Sequence, residues 1–204
     1  MTLTYSSMLA LGKNIPPSIL MDTNNNKYQL DEGSYKAYIF AFICNHCPYV
    51  IHIKEKMSEL LNNAYRNDFS VFAINSNDME SYPLDNKEMM KNDIKKFNYE
   101  FPYLIDEDQS VAKSFQAMCT PEFYIFDNNK DLIYRGRFDK SSPGNNELTD
   151  GSDLQMAIQS IKRGERIIKQ QYPSMGCNIK WKKDNEPNYI REKDLSFICR
   201  RRQQ

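Results

Sequence analysis

At residue 44 the chain changes its period. Residues 38–43 (YIFAFI) are a continuous apolar run, which fits a strand buried on both faces, as at the centre of a parallel sheet. Beyond Pro48, the residues Val50, Ile53, Met57, Leu60, Leu61 and Ala64 recur at helical spacing, with Lys54 and Glu55 off that face. Residues 69–75 (FSVFAIN) read as a second buried strand. Strand, helix and strand make a βαβ unit, which should be right-handed. At its first junction stands Cys44-Asn45-His46-Cys47-Pro48. A C-x-x-C pair is thus placed where a strand end meets a helix start.

The rest of the chain adds elements around that unit. The pieces SILM and KYQL flank a polar loop at 22–26, which predicts an N-terminal β-hairpin. Residues 85–98 and 110–118 are helix-compatible, and 101–105 is a short apolar piece. FYIF at 123–126 and the run at 132–134 are separated by DNNKD, a second hairpin signal. Residues 139–151 are a loop by composition. Ser152 or Asp153 is placed to cap a last helix carrying Leu154, Ala157, Ile158 and Ile161 on one face. The sum is an α/β chain with mixed strand directions. Residues 1–182 form one domain on this reading, and 183–204 a loose polar tail.

Several function classes are excluded at this level. Lys+Arg and Asp+Glu both number 27, so no net charge draws the chain to nucleic acid or anionic lipid. The basic run Arg200–Arg202 is short and terminal and reads as solvated. No stretch is apolar enough to span a membrane, and the N-terminus lacks the pattern of a signal peptide. There are five cysteines, an odd number spread over 204 residues, unlike a small secreted disulfide scaffold. A cytoplasmic protein is expected, with redox or metal chemistry at the C-x-x-C pair.

A thiol attacks as its thiolate, and a free cysteine has a pKa of about 8.5. A helix N-terminus lowers that value through its unpaired N–H groups and dipole. Cys44 is assigned that position here. The two-residue spacing lets Cys47 close a disulfide with it, and Pro48 suits the first helical turn because its missing N–H would be unpaired there. His46 either tunes the thiolate as a nearby cation or is an exposed loop histidine. A zinc site built from Cys44, His46, Cys47 and a distant cysteine is the rival, but no second C-x-x-C completes the usual spacing. No cofactor and no metal are called for. At Thr120-Pro121 a trans peptide is the default by sequence.

The order strand, C-x-x-C-P, helix, strand, then T-P before a strand resembles the thioredoxin fold. More narrowly, FICNHCPYV at 42–50, FPYLIDEDQSVAKSF at 101–115, CTPEFYIFD at 119–127, YRGRFD at 134–139 and GCNIKW at 176–181 resemble the peroxiredoxin-like branch of the redoxin superfamily. That branch includes alkyl hydroperoxide reductase and thiol-specific antioxidant proteins. The resemblance covers about residues 10 to 182. It implies a mixed central sheet flanked by helices, with the hairpin added before the thioredoxin core. It also implies that Pro121 is a cis-proline facing the redox pair, with Cys119 close to Cys44 and Cys47. Two departures stand out. If Cys47-Pro48 matches the peroxidatic Cys-Pro, Cys44 occupies the place of the peroxide-binding Thr, and the stretch that should supply an Arg reads CTPEF. Tyr38 stands where thioredoxins carry a buried acid.

The leading expectation is a thiol–disulfide oxidoreductase in which Cys44 attacks and Cys47 resolves. Its substrates would be protein or small-molecule disulfides, with a thiol as electron donor. A thiol peroxidase with Cys47 attacking peroxide is the alternative. A non-catalytic metal- or protein-binding module is the reading from another class.

Overall fold

A computed structural model describes residues 3–165 and 170–190. In chain order the strands are β1 (Leu3–Tyr5), β2 (Ile19–Asp22), β3 (Lys27–Gln29), β4 (Ala37–Phe42), β5 (Ser70–Asn75), β6 (Tyr103–Ile105), β7 (Cys119–Thr120), β8 (Glu122–Asp127), β9 (Leu132–Gly136) and β10 (Met175–Asn178). The helices are α1 (Pro48–Arg66), α2 (Lys87–Lys96), α3 (Ser110–Ser114) and α4 (Ser152–Lys162), with a 3-10 turn at Pro83–Asp85. Among the described residues, no helix is long and apolar enough to cross a membrane.

The βαβ unit is β4–α1–β5, with β4 and β5 parallel and Tyr38 opposite Ser70. Every residue of both strands is buried. They are the centre of a seven-stranded sheet of order β3-β2-β6-β5-β4-β8-β9. β6 joins β5 in parallel, whereas β8 pairs antiparallel with β4. The hairpin β2–β3 attaches through β2 to β6. Its loop is held by the Asp22 carboxylate, which accepts from the backbone N–H groups of Asn24 at 2.7 Å and Asn26 at 2.9 Å. A second, three-stranded sheet, β1-β10-β7, lies apart from the first.

Strand β4 sorts the two cores by its pleat. Ala37, Ile39 and Ala41 face the side covered by α1, α2 and α4, where Cys44 and Cys47 also lie. Tyr38, Phe40 and Phe42 face the other side, where they pack with Phe115, Tyr124 and Phe126. Small residues on the first side let α1 approach the sheet closely. Tyr38 points away from the cysteines, and its hydroxyl donates to the Gly33 carbonyl at 2.7 Å.

Three expectations are corrected. The N-cap of α4 is Gly151, at φ 67°, with no side-chain cap; the nearby Asp139 carboxylate accepts from the N–H groups of Asp150 and Gly151 instead. The left-handed backbone there suits glycine and leaves Asp153 to pair with Arg137 at 2.6 Å. Lys54 is buried rather than solvated, because α1 is covered on a second side by the segment around α2. The start of the polar tail is also packed: Asn185 donates to the Gln109 side chain at 2.8 Å, and the Tyr189 hydroxyl to the Ala117 carbonyl at 3.1 Å. Residues 191–204, with Cys199 and Arg200–Arg202, lie outside the described residues.

Candidate active site

Strand β4 ends at Phe42, and α1 begins at Pro48 with Cys47 as its N-cap. Cys47, not Cys44, therefore takes the helix N-terminus; Cys44 lies in the short connection two residues past the strand. Both sulfurs belong to residues with no exposed surface. The two side chains lie close enough for each to shift the other's ionisation. The Cys44 sulfur lies 3.4 Å from the Thr120 hydroxyl, and the Cys47 thiol donates to the Thr120 carbonyl at 3.2 Å. The Thr120–Pro121 peptide is cis, as the family resemblance implies and against the default by sequence. Thr120 thus meets both cysteines, and Cys119 does not. Because alternate residues of a strand point to opposite sides, the Cys119 sulfur turns to the buried Glu122 carboxylate, 3.9 Å away.

The cysteine that does join the pair is Cys177. It lies opposite Thr120 in the β10–β7 ladder. Its thiol and its backbone N–H lie close enough to the Cys47 sulfur to favour the thiolate there. Together with the Cys44 thiol and the Val50 N–H, these donors hold the Cys47 thiol well below its ordinary pKa. Burial and the Thr120 carbonyl oppose ionisation at the same sulfur. The Cys44 thiol is pushed up, first by its hydrogen bond with Cys47, then by burial and by the negative charge of Asp85. Cys177 is pushed up by the same kind of contact with Cys47 and by burial. These surroundings favour ionisation at Cys47 over Cys44, the sulfur to which the sequence reading gave the attack.

Asp85 had no signal in the sequence. It ends the 3-10 turn, is fully buried, and reaches into the C-x-x-C loop. One of its oxygens accepts from the N–H groups of Asn45 at 2.8 Å and His46 at 3.3 Å. The other accepts from the Asn77 side chain at 2.7 Å and lies 2.7 Å from His46 Nδ1 without the geometry of a hydrogen bond. Asn45 is pinned further by Tyr103, Leu84 and Lys54. The Tyr82 ring stacks on His46 at 5.9 Å. A ring nitrogen of His46, an Asp85 oxygen and the Cys44 sulfur all lie within 4.8 Å of one another. Three such atoms could hold a metal ion, or could pass a proton from the thiol to the imidazole.

A model of the AhpC/TSA family, the alkyl hydroperoxide reductase and thiol-specific antioxidant proteins, matches residues 11–135. The chain belongs to the AhpC/TSA family. No curated protein matches it. Among solved structures, the chain is similar to an uncharacterized conserved protein from Geobacillus kaustophilus, with 42% identity and a TM-score of 0.86 over 90% of this chain and 98% of that one. It is also similar to a hypothetical protein from Sinorhizobium meliloti, at 38% identity and TM-score 0.85, over 88% and 99% of the two chains. A secreted Mycobacterium tuberculosis disulfide oxidoreductase, homologous to E. coli DsbE, shares 11% identity at TM-score 0.56, over 71% and 96% of the chains. That likeness shows the fold, which is the thioredoxin fold. Pro48 follows Cys47 at the start of α1, and Pro121 follows the Thr120 that meets both sulfurs. The arginines that follow are engaged elsewhere: Arg135 with Leu9 and Gln171, Arg137 with Asp153.

Proposed function

We propose that this AhpC/TSA protein is a thiol–disulfide oxidoreductase that cycles Cys44 and Cys47 between dithiol and disulfide. One observation carries the reading: Thr120, at a cis-proline, meets both sulfurs of the C-x-x-C pair. The Cys47 thiolate attacks a substrate disulfide, forms a mixed disulfide and expels the first substrate thiolate. Cys44 then gives up its proton toward His46 and attacks the Cys47 sulfur. The Cys44–Cys47 bond forms, and the second substrate thiol leaves. An external thiol donor restores the dithiol. Beside Pro121, a cavity of about 180 Å³ lined by Tyr49, Arg137, Tyr172 and Met175 offers a place for the extended chain around a substrate disulfide. A reducing compartment such as the cytoplasm suits such a cycle.

Reduction of insulin disulfides by wild type, Cys44→Ser and Cys47→Ser tests this. Both variants should lose at least ten-fold in turnover. Wild-type rates in both would overturn it.

A second reading, thiol peroxidase, is favoured by one feature: Cys47 at the helix N-terminus followed by Pro48. The commitments of Arg135 and Arg137 weigh against it, since a peroxidase uses a cation to orient the peroxide. Peroxide consumption should be no faster than that of a small thiol. Stoichiometric zinc in purified protein, lost on Cys44→Ala, would favour metal binding over both readings.

A further inference from the structure

Cys177 takes no part in the cycle above, yet it is built against the sulfur that carries the charge. Its strand is admitted there by Gly176. A β-carbon at that position would lie 2.0 Å from the Thr120 carbonyl oxygen and 3.3 Å from the Pro121 ring. Only glycine lets β10 come this close to the cis-proline peptide. The next residues hold the strand in place: Ile179 enters the aromatic core, the Lys180 N–H donates to Asn77 at 2.8 Å and the Lys180 carbonyl accepts from Gln109 at 2.9 Å. Cys47 thus has a sulfur neighbour on each side, Cys44 from its own loop and Cys177 from β10. Thr120 lies among the three, opposite Cys177 in the ladder and in contact with both other cysteines.

We propose that Cys177 is the third thiol of the redox centre, and that the disulfide moves within it from Cys44–Cys47 to Cys47–Cys177. The proposal rests on the Cys44–Cys47 reading. In the oxidised protein the Cys177 sulfur, having lost its proton, attacks the Cys47 sulfur. The Cys47–Cys177 bond forms, the Cys44–Cys47 bond breaks, and the bonding pair leaves on Cys44, which takes up a proton. One disulfide and one thiol stand on each side, so nothing is oxidised or reduced overall. The exchange returns Cys44 as a thiol while the centre stays oxidised. It also assigns to Cys177 the role that the sequence reading had weighed for Cys119.

The test oxidises full-length protein with diamide, a two-electron thiol oxidant, then quenches in acid and maps disulfides by mass spectrometry. Wild type, Cys44→Ser and Cys44→Ala are compared, each checked for a wild-type circular dichroism spectrum. Wild type should yield Cys44–Cys47 together with a smaller fraction of Cys47–Cys177, the product of the exchange. The folded Cys44 variants should yield Cys47–Cys177 in most molecules. If wild type forms Cys44–Cys47 but the variants return Cys47 and Cys177 as alkylated thiols, or join Cys47 to Cys119, the exchange is overturned and the parent reading stands. If wild type itself forms no Cys44–Cys47 bond, the parent reading fails, whatever Cys177 does.

Discussion

Asp85 acts on the cysteines without touching them. It holds the backbone of Asn45 and His46, which sets the loop between the two sulfurs, and its charge raises the Cys44 pKa. On the proposed cycle a raised Cys44 keeps its proton while Cys47 ionises, which would give the first attack to one sulfur only. Neutralising the carboxylate should reverse part of this. In a Cys47→Ser background, the rate of Cys44 alkylation by iodoacetamide should reach half its maximum at a lower pH once Asp85→Asn is added. A merely structural role for Asp85 would alter rates at every pH but leave the midpoint where it was; that outcome removes Asp85 from the chemistry. Little of this residue-scale detail was legible in advance. The C-x-x-C pair, Pro48 and the Thr120-Pro121 step announce themselves by spacing. Asp85 and Cys177 reach the site from 41 and 133 positions beyond Cys44, and no local pattern marks a contact of that range.

Helix α1 shows how the elements carry the site. Its apolar face, Val50, Ile53, Met57, Leu61 and Ala64, packs on the sheet. A second, polar stripe at Lys54, Ser58 and Asn62 follows at intervals of four and is also buried. Lys54 pairs with Asp93 and holds the Asn45 carbonyl at 2.8 Å. Ser58 bonds the Phe97 carbonyl. Asn62 donates to the Asn98 carbonyl at 2.8 Å and accepts from the Glu100 N–H at 2.9 Å. The stripe fastens α1 to α2 and the segment that follows it, and Lys54 also ties the helix to the loop between the cysteines. Sequence periodicity found the first face because apolar residues mark burial. It missed the second because polar residues at the same spacing read as solvated unless their partners are known. Asn62→Ala removes the two hydrogen bonds to the Asn98 carbonyl and from the Glu100 N–H and should cost about 1–3 kcal/mol in urea unfolding. A change within about 0.5 kcal/mol would mean that water replaces both bonds.

At the scale of the whole molecule, the ionisation of Cys47 should couple to stability. The element order and the central βαβ unit were readable because buried parallel strands and an amphipathic helix each leave a periodic trace. The three-stranded sheet β1-β10-β7 was not, since its strands have two to four residues and pair across most of the chain. That sheet brings Cys177 to Cys47, so the groups that favour the Cys47 thiolate assemble only when the entire fold closes. Folding lowers the Cys47 pKa below that of the unfolded thiol. Between the folded value and the ordinary thiol value of about 8.5, the unfolded chain binds a proton that the native state has released. The reduced protein should therefore gain stability as pH rises through this window, by up to about 1.4 kcal/mol per pH unit. The gain should stop near pH 8.5, where the unfolded thiol also ionises. It should be lost as pH falls through the folded value. Cys44 and Cys177 have raised values, stay protonated in both states below that pH and add nothing to the slope. Urea unfolding of reduced wild type and of Cys47→Ser, each with a phosphine reductant from pH 6 to 8.5, isolates the effect. The difference between the two should widen steadily with pH. A constant difference would show that Cys47 holds its proton in the native state, and the assignment of the thiolate to this sulfur would fall.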